Sequence, residues 1–120
     1  MKRTVLVVED SADIREIMRI VFRTYGYNVL EAADGYEALQ LALEHHPDII
    51  LMDLALPLLD GLKATCYIRA EKALSEVPIL AVTAYGELYK DEAIEVGCNA
   101  VITKPVDFKN LHTVVEHYLT

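Results

Sequence analysis

Four polar positions stand out because each follows a short apolar run. Glu9-Asp10 follows residues 5–8, Asp53 follows 49–52, Thr83 follows 79–82, and Thr103-Lys104-Pro105 follows 100–102. Singly they are ordinary: an Asp after a strand usually caps a helix or turn, and a Thr or Lys there is commonplace. Jointly they offer an acidic pair, a lone acid, a hydroxyl and an ammonium to a single rim. Three carboxylates brought close repel one another and titrate as a coupled set. A hard divalent cation relieves that repulsion. Mg2+ suits such a site because it accepts a few carboxylates while keeping waters and phosphoryl oxygens as further ligands. Lys104 adds a compact positive charge for a phosphoryl oxygen, and the Thr83 hydroxyl can donate to another. Asp53 is then a carboxylate nucleophile able to form an aspartyl-phosphate. Phosphoryl transfer asks mainly for positioning and charge neutralisation, which these groups can supply.

The elements that must gather them are legible as five apolar runs, at residues 5–8, 29–30, 49–52, 79–82 and 100–102, alternating with helical patterns. Three runs are continuous rather than alternating, as in strands covered on both faces. In the first helix Ile14, Ile17, Met18, Val21, Phe22 and Tyr25 form an apolar stripe, with Gly26 placed for a left-handed cap. The second starts at Asp34, with Glu37 completing a capping-box pattern, and Pro47 ends it. A third pattern covers about 61–73, and a short fourth, 87–96, closes at Gly97. The last turns Phe108, Leu111, Val114, Val115, Tyr118 and Leu119 inward. Alternating β and α segments imply a doubly wound parallel sheet with helices on both faces. Such a sheet places its ligand at the carboxyl ends of the strands, which is where the four polar positions fall.

The chain's 120 residues have the length of one domain, and 53% hydrophobic residues suffice for its core. No apolar run is long enough to span a bilayer or to serve as a signal peptide, so a soluble, cytoplasmic protein without membrane contact is expected. Nineteen acidic against eleven basic residues give a net charge of −8, which argues against direct nucleic-acid binding. Cys66 and Cys98 lack metal-ligand spacing and are expected to be buried or half-buried free thiols. His45, His46, His112 and His117 are assigned to the surface. Tyr85 and Tyr89, at the fourth helix, fit a partner-binding patch and a partly buried aromatic pair equally well.

The segments VLVVED at 5–10, DIILMDLALPLLDG at 48–61, PILAVTA at 78–84 and AVITKP at 100–105 resemble the signature blocks of response-regulator receiver domains. They come in the family's order and spacing across essentially the whole chain, 1–120. The resemblance implies a flavodoxin-like fold: five parallel strands in the order 2-1-3-4-5, flanked by five helices. It implies a two-component or phosphorelay switch and not a conventional enzyme, one that promotes its own Mg2+-dependent phosphorylation and dephosphorylation. The implied phosphodonor is a histidine kinase or histidine phosphotransfer protein, and the implied output is a downstream protein effector. Asp53 matches the phosphoacceptor, and Thr83 and Lys104 match the phosphoryl-binding hydroxyl and ammonium. Asp10 matches a direct metal ligand, Glu9 one acting through water, and the backbone carbonyl of Ala55 a third protein ligand. Mg2+ is the implied metal, with Mn2+ as a substitute. The Lys104–Pro105 bond is implied to be cis, and Gly61 to be a turn glycine.

Two positions depart from the family pattern. Val101 stands where Tyr or Phe is usual, which removes the ring whose swing reports phosphorylation and directs attention to the β4–α4 loop and Tyr85. Glu9 stands where Asp is commoner, lengthening one carboxylate's reach. Val101 is also the feature that speaks for a phosphorylation-independent interaction module; intact Asp10, Asp53, Thr83 and Lys104 speak against it. An aspartyl phosphatase would want a second Asp at Ala55. A flavodoxin would want a Ser/Thr/Gly-rich phosphate loop in place of Glu9-Asp10-Ser11.

Overall fold

The computed structural model describes residues 2–120. Five strands, β1 (Thr4–Val8), β2 (Asn28–Ala32), β3 (Ile49–Asp53), β4 (Ile79–Thr83) and β5 (Ala100–Thr103), form one parallel sheet in the order β2-β1-β3-β4-β5. The helices α1 (Ala12–Thr24), α2 (Gly35–His45), α3 (Gly61–Ala70), α4 (Gly86–Val96) and α5 (Phe108–Leu119) alternate with them. Successive strand side chains point to opposite faces, so the continuous apolar runs feed two cores at once. Leu6, Val8, Ile50, Met52, Ile79 and Ala81 pack beneath α2, α3 and α4 with Ala38, Ala42, Ala64, Ile68 and Ala93. Val5, Val7, Ile49, Leu51, Leu80 and Val82 pack beneath α1 and α5 with Met18, Phe22, Leu111 and Val115. This is the doubly wound architecture that the alternating pattern predicts, in the flavodoxin-like strand order that the resemblance implies. No helix among the described residues is long and apolar enough to cross a membrane.

Several local expectations need correction. Of the α1 stripe only Met18 and Phe22 are buried; Ile14, Ile17 and Tyr25 are exposed. Ile17 precedes buried Met18 by one residue, about 100° round the helix, so the buried face of α1 is narrower than the apolar stripe. The β2 edge strand is longer than residues 29–30 because polar Asn28 and Glu31 belong to it. Asp34 caps α2 by accepting the Glu37 N–H at 2.9 Å, which is half of a capping box. The helix closes at His46 in the left-handed region, φ 47°, just before Pro47. Cys98 is buried, its thiol pKa pushed up first by that burial, whereas Cys66 lies exposed on α3; both are free. His45, His46 and His117 are exposed, but His112 is half-buried. It stacks on Tyr25, with centroids 3.6 Å apart, and meets the edge of Tyr27 at 5.7 Å.

Helix α3 stops at Ala70, three residues before the pattern lapses, and a 3₁₀ turn at Lys72–Leu74 follows. The cause is tertiary. Arg69 donates to the Gly97 carbonyl through Nε and Nη2 at 3.0 and 2.8 Å, to Leu74 O at 3.1 Å and to Asn99 Oδ1 at 3.0 Å. Folding the chain back to meet that guanidinium also sends Leu74 into the core. Gly97, with φ +119°, supplies the left-handed end of α4 and the shared carbonyl. Arg69→Ala would strand those acceptors and is expected to cost about 2–3 kcal/mol. Urea unfolding should show the loss with an unchanged m-value; a loss below about 0.5 kcal/mol would mean that solvent replaces Arg69 freely.

Candidate functional site

Between β1 and β3 the strand order reverses, and their carboxyl ends deliver Glu9 and Asp53 to one crevice. Glu9 is nearly buried, and its N–H extends the ladder to Ala32 O at 3.0 Å. The start of α1 then fixes it in place. Ser11, which caps α1 by accepting the Ile14 N–H, donates its own N–H to Glu9 Oε2 at 3.1 Å. Arg15, one turn into the helix, donates to the Glu9 carbonyl at 2.8 Å, while its Nε lies 3.5 Å from Glu31 on β2. Neither contact was expected from sequence; the only hint was a cation one turn beyond the acidic pair.

Asp53 ends β3 almost buried, and its Oδ1 accepts the Ala55 N–H at 3.0 Å in an Asx turn. The loop returns tightly. Leu59 N donates to Pro57 O at 2.7 Å across Leu58, whose φ is 65°. Asp60 then caps α3 by accepting the Lys63 N–H. Gly61 is the first residue of α3 and not a turn glycine. It lies so close to the backbone of Asp53 and Leu54 that a Cβ would collide with both. From the other side, β5 hands over Lys104, whose N–H bonds Thr83 O at 2.8 Å; the Lys104–Pro105 bond is cis, as expected.

The Lys104 ammonium stands 2.9 Å from Glu9 Oε1 and 3.1 Å from Asp53 Oδ2, bridging two strand ends. Burial alone would lower its pKa, but the bonds and charges of Glu9 and Asp53 outweigh that and hold it above the ordinary lysine value. One oxygen each from Glu9, Asp10 and Asp53 can be chosen so that all lie within 4.8 Å of one another. The structure thus brings Glu9, Asp10, Asp53 and Lys104 together. Thr83 is buried at the same rim, but its hydroxyl accepts the Tyr85 N–H at 3.2 Å and makes no bond to Asp53.

The donor set fits a hard divalent cation. Both Glu9 oxygens are engaged, by Lys104 and the Ser11 N–H, and both Asp53 oxygens are engaged, by Lys104 and the Ala55 N–H. Among the described residues no protein donor reaches the exposed Asp10 carboxylate, and none reaches the carbonyl of Ala55. Asp10 and the Ala55 carbonyl would therefore offer open oxygens to the ion, and Asp53 one that it shares with a present donor, in keeping with the oxygen ligation that Mg2+ prefers.

A sequence profile of the response regulator receiver domain matches residues 5–116. The chain is 37% identical to the polar-differentiation response regulator DivK of Brucella ovis, over 99% of this chain and 98% of that one. It superposes with a TM-score of 0.92 on the receiver domain of the sensor histidine kinase PA1611 from Pseudomonas aeruginosa, at 32% identity and covering 99% and 98% of the two chains. That structure holds a magnesium ion in its active-site cleft. With chemotaxis protein CheY4 of Vibrio cholerae the TM-score is 0.94 at 30% identity, covering 99% and 100%. The chain belongs to the response-regulator receiver family, a class of two-component signalling domain.

The charge arrangement has a measurable consequence. Crowding among the acids is already relieved at Asp53 by Lys104, but not at Asp10. Asp10→Ala should therefore raise metal-free stability by about 0.5–1 kcal/mol, whereas Lys104→Met should lower it by about 1–2 kcal/mol by leaving two buried carboxylates face to face. Millimolar Mg2+ should raise the denaturation midpoint of the parent and not that of Asp10→Ala. Equal stabilisation of both by Mg2+ would place the ion elsewhere.

Proposed function

We propose that this receiver domain is a phosphorylatable switch in which Asp53 accepts a phosphoryl group from a histidine kinase or a histidine phosphotransfer protein, with Mg2+ as cofactor and Mn2+ as a workable substitute. The observation that carries the reading is the Lys104 bridge, which holds Glu9 and a nearly buried Asp53 at one edge beside Asp10. In the transfer, an Asp53 oxygen bonds to phosphorus as the P–N bond to the donor imidazole breaks, and the leaving ring nitrogen takes up a proton. Bound Mg2+ supplies positive charge against the developing phosphoryl oxygens. Lys104 is already within reach of Asp53 and shifts its charge to a phosphoryl oxygen, while Thr83 turns its hydroxyl to another. The Ala55 N–H and the tight approach of Gly61 keep the carboxylate oriented during attack. The chain then works in the cytoplasm and passes its state to a protein effector, not to nucleic acid.

Incubation with acetyl phosphate and Mg2+ should add one phosphoryl group by intact mass, and chelation should slow the labelling at least tenfold. Asp53→Asn should remove it. Full labelling of that variant would move the acceptor elsewhere, and no labelling of the parent by any phosphodonor would leave a phosphorylation-independent interaction module.

A further inference from the structure

Helices α1 and α4 both turn large apolar side chains to solvent. On α4, Leu88, Ile94 and the capping Tyr85 are exposed, but the exposed charges beside them, Glu87, Asp91, Glu92 and Glu95 against a lone Lys90, are nearly all of one sign. That face repels a second copy of itself. Helix α1 differs. Asp13, Ile17, Ile20 and Thr24 recur at intervals of four, three and four residues, so they share the side of the helix turned away from buried Met18 and Phe22. Ile17 and Ile20 are 46% and 54% exposed. The Thr24 hydroxyl is already bonded to the Ile20 carbonyl at 2.9 Å, which leaves its methyl group to this face.

The charges of the α1 face have opposite signs at opposite ends. Asp13 lies in the first turn and Arg23 in the last, about 15 Å apart along the axis, and both are exposed. Among the described residues neither has an ion-pair partner. Glu16 meets only Arg19, which also serves Glu31. Each sign suits its end of the helix dipole, but the dipole gives no reason for two isoleucines in water between them. A second helix of the same sequence, run antiparallel, supplies one. About a twofold axis between residues 18 and 19, Ile17 meets Ile20 of the second copy, and Asp13 comes within one residue's rise of Arg23 of the second copy. By symmetry both contacts occur twice. On one flank Glu16 also reaches Arg23 of the second copy. On the other, Ile14 faces Val21 of the second copy and carries the apolar contact toward a cleft of about 260 Å3 that it lines with Pro105, Val106 and Phe108. A parallel pair would set Asp13 and Glu16 against their own copies, so the charges select the antiparallel arrangement.

We propose that α1 is a homodimer face, at which two copies of this chain pair antiparallel through Ile17 and Ile20, with Asp13 of each facing Arg23 of the other. The inference stands apart from the reading of Asp53. A helix about 20 Å long buries roughly 600–800 Å2 in total in such a pair, below the ~1,200 Å2 of stable complexes, so association sets in at about 0.1–1 mM. The isoleucines supply the apolar contact, while the exposed ion pairs fix the register and are screened by salt. The first turn of α1 borders the crevice, since the Ser11 N–H bonds Glu9, so pairing stands a second copy beside it.

Sedimentation equilibrium of the full chain, from about 20 µM to 1 mM at ~50 mM salt, reads the association. The average mass should climb toward that of a dimer, and amide shifts that depend on concentration should gather on residues 12–24. Ile20→Ser should abolish the rise. Asp13→Arg and Arg23→Asp should each weaken association about tenfold. If the two effects simply added, the double variant would be weakened about a hundredfold; paired across the axis, it should associate at least threefold more tightly than either single variant. Melting at the lowest concentration checks that each variant folds, and Asp13→Asn or Arg23→Gln replaces one that does not, with the same sign and a smaller effect. A monomer throughout overturns the inference and leaves the α1 face to a protein of another kind. A dimer whose shifts fall on α4 overturns it too, as does one indifferent to the charge reversals or not recovered in the double variant.

Discussion

An ammonium held between two nearly buried carboxylates is a demanding arrangement. Withdrawing each ion from water costs several kcal/mol, and at the effective dielectric of a protein surface an ion pair at 4 Å returns only about 4 kcal/mol. Lys104, Glu9 and Asp53 come within 3.1 Å from three different strands, so the balance closes only if the remaining carboxylate oxygens are also bonded. They are: Ser11 N–H serves Glu9, and Ala55 N–H serves Asp53. Around the site the chain is shaped by the need to bring these donors to the same few ångströms.

That need explains features which lack an obvious role in folding. Arg15 anchors the Glu9 carbonyl and leans on Glu31, itself paired with Arg19, so the strand end cannot drift from α1. Gly61 lets α3 begin against the backbone of Asp53, drawing the intervening loop into a narrow rim around the carboxylate. Because one core lies under α1 and α5 and the other under α2, α3 and α4, the rim sits at the seam between two packed layers.

Much of this was legible in the residues. Continuous apolar runs marked strands covered on both faces, and the alternation of segments led to the sheet and to its carboxyl edge as the place for chemistry. The same rule places Glu9, Asp10, Asp53, Thr83 and Lys104 at one rim from their positions in the chain alone. What was not legible depends on contacts between distant segments. The early end of α3 follows from Arg69 reaching Gly97 and Asn99, 28 and 30 residues away, and no local stop signal precedes it. A periodicity argument treats every apolar position of α1 alike, whereas only Met18 and Phe22, one turn apart, are buried and Ile14 and Ile17 are left exposed. The sequence reads His112 as a surface residue because its partners, Tyr25 and Tyr27, belong to the opposite end of the chain. Backbone donors such as the N–H of Ser11 or Tyr85 carry no mark in a sequence at all.

Leu58 closes the tight turn in the rim loop with a backbone conformation that leucine rarely adopts, and its side chain is 82% exposed. Neither property helps the fold: left-handed backbone favours glycine or asparagine, and an exposed leucine buries nothing. Three residues on, Gly61 admits no side chain of any kind. Beside Asp53 there is thus one position, at the start of α3, that is closed to any side chain and one, in the loop, whose side chain faces solvent. Glycine or asparagine at position 58 would ease the backbone, and either would rewrite the exterior of the crevice while its chemistry stayed the same.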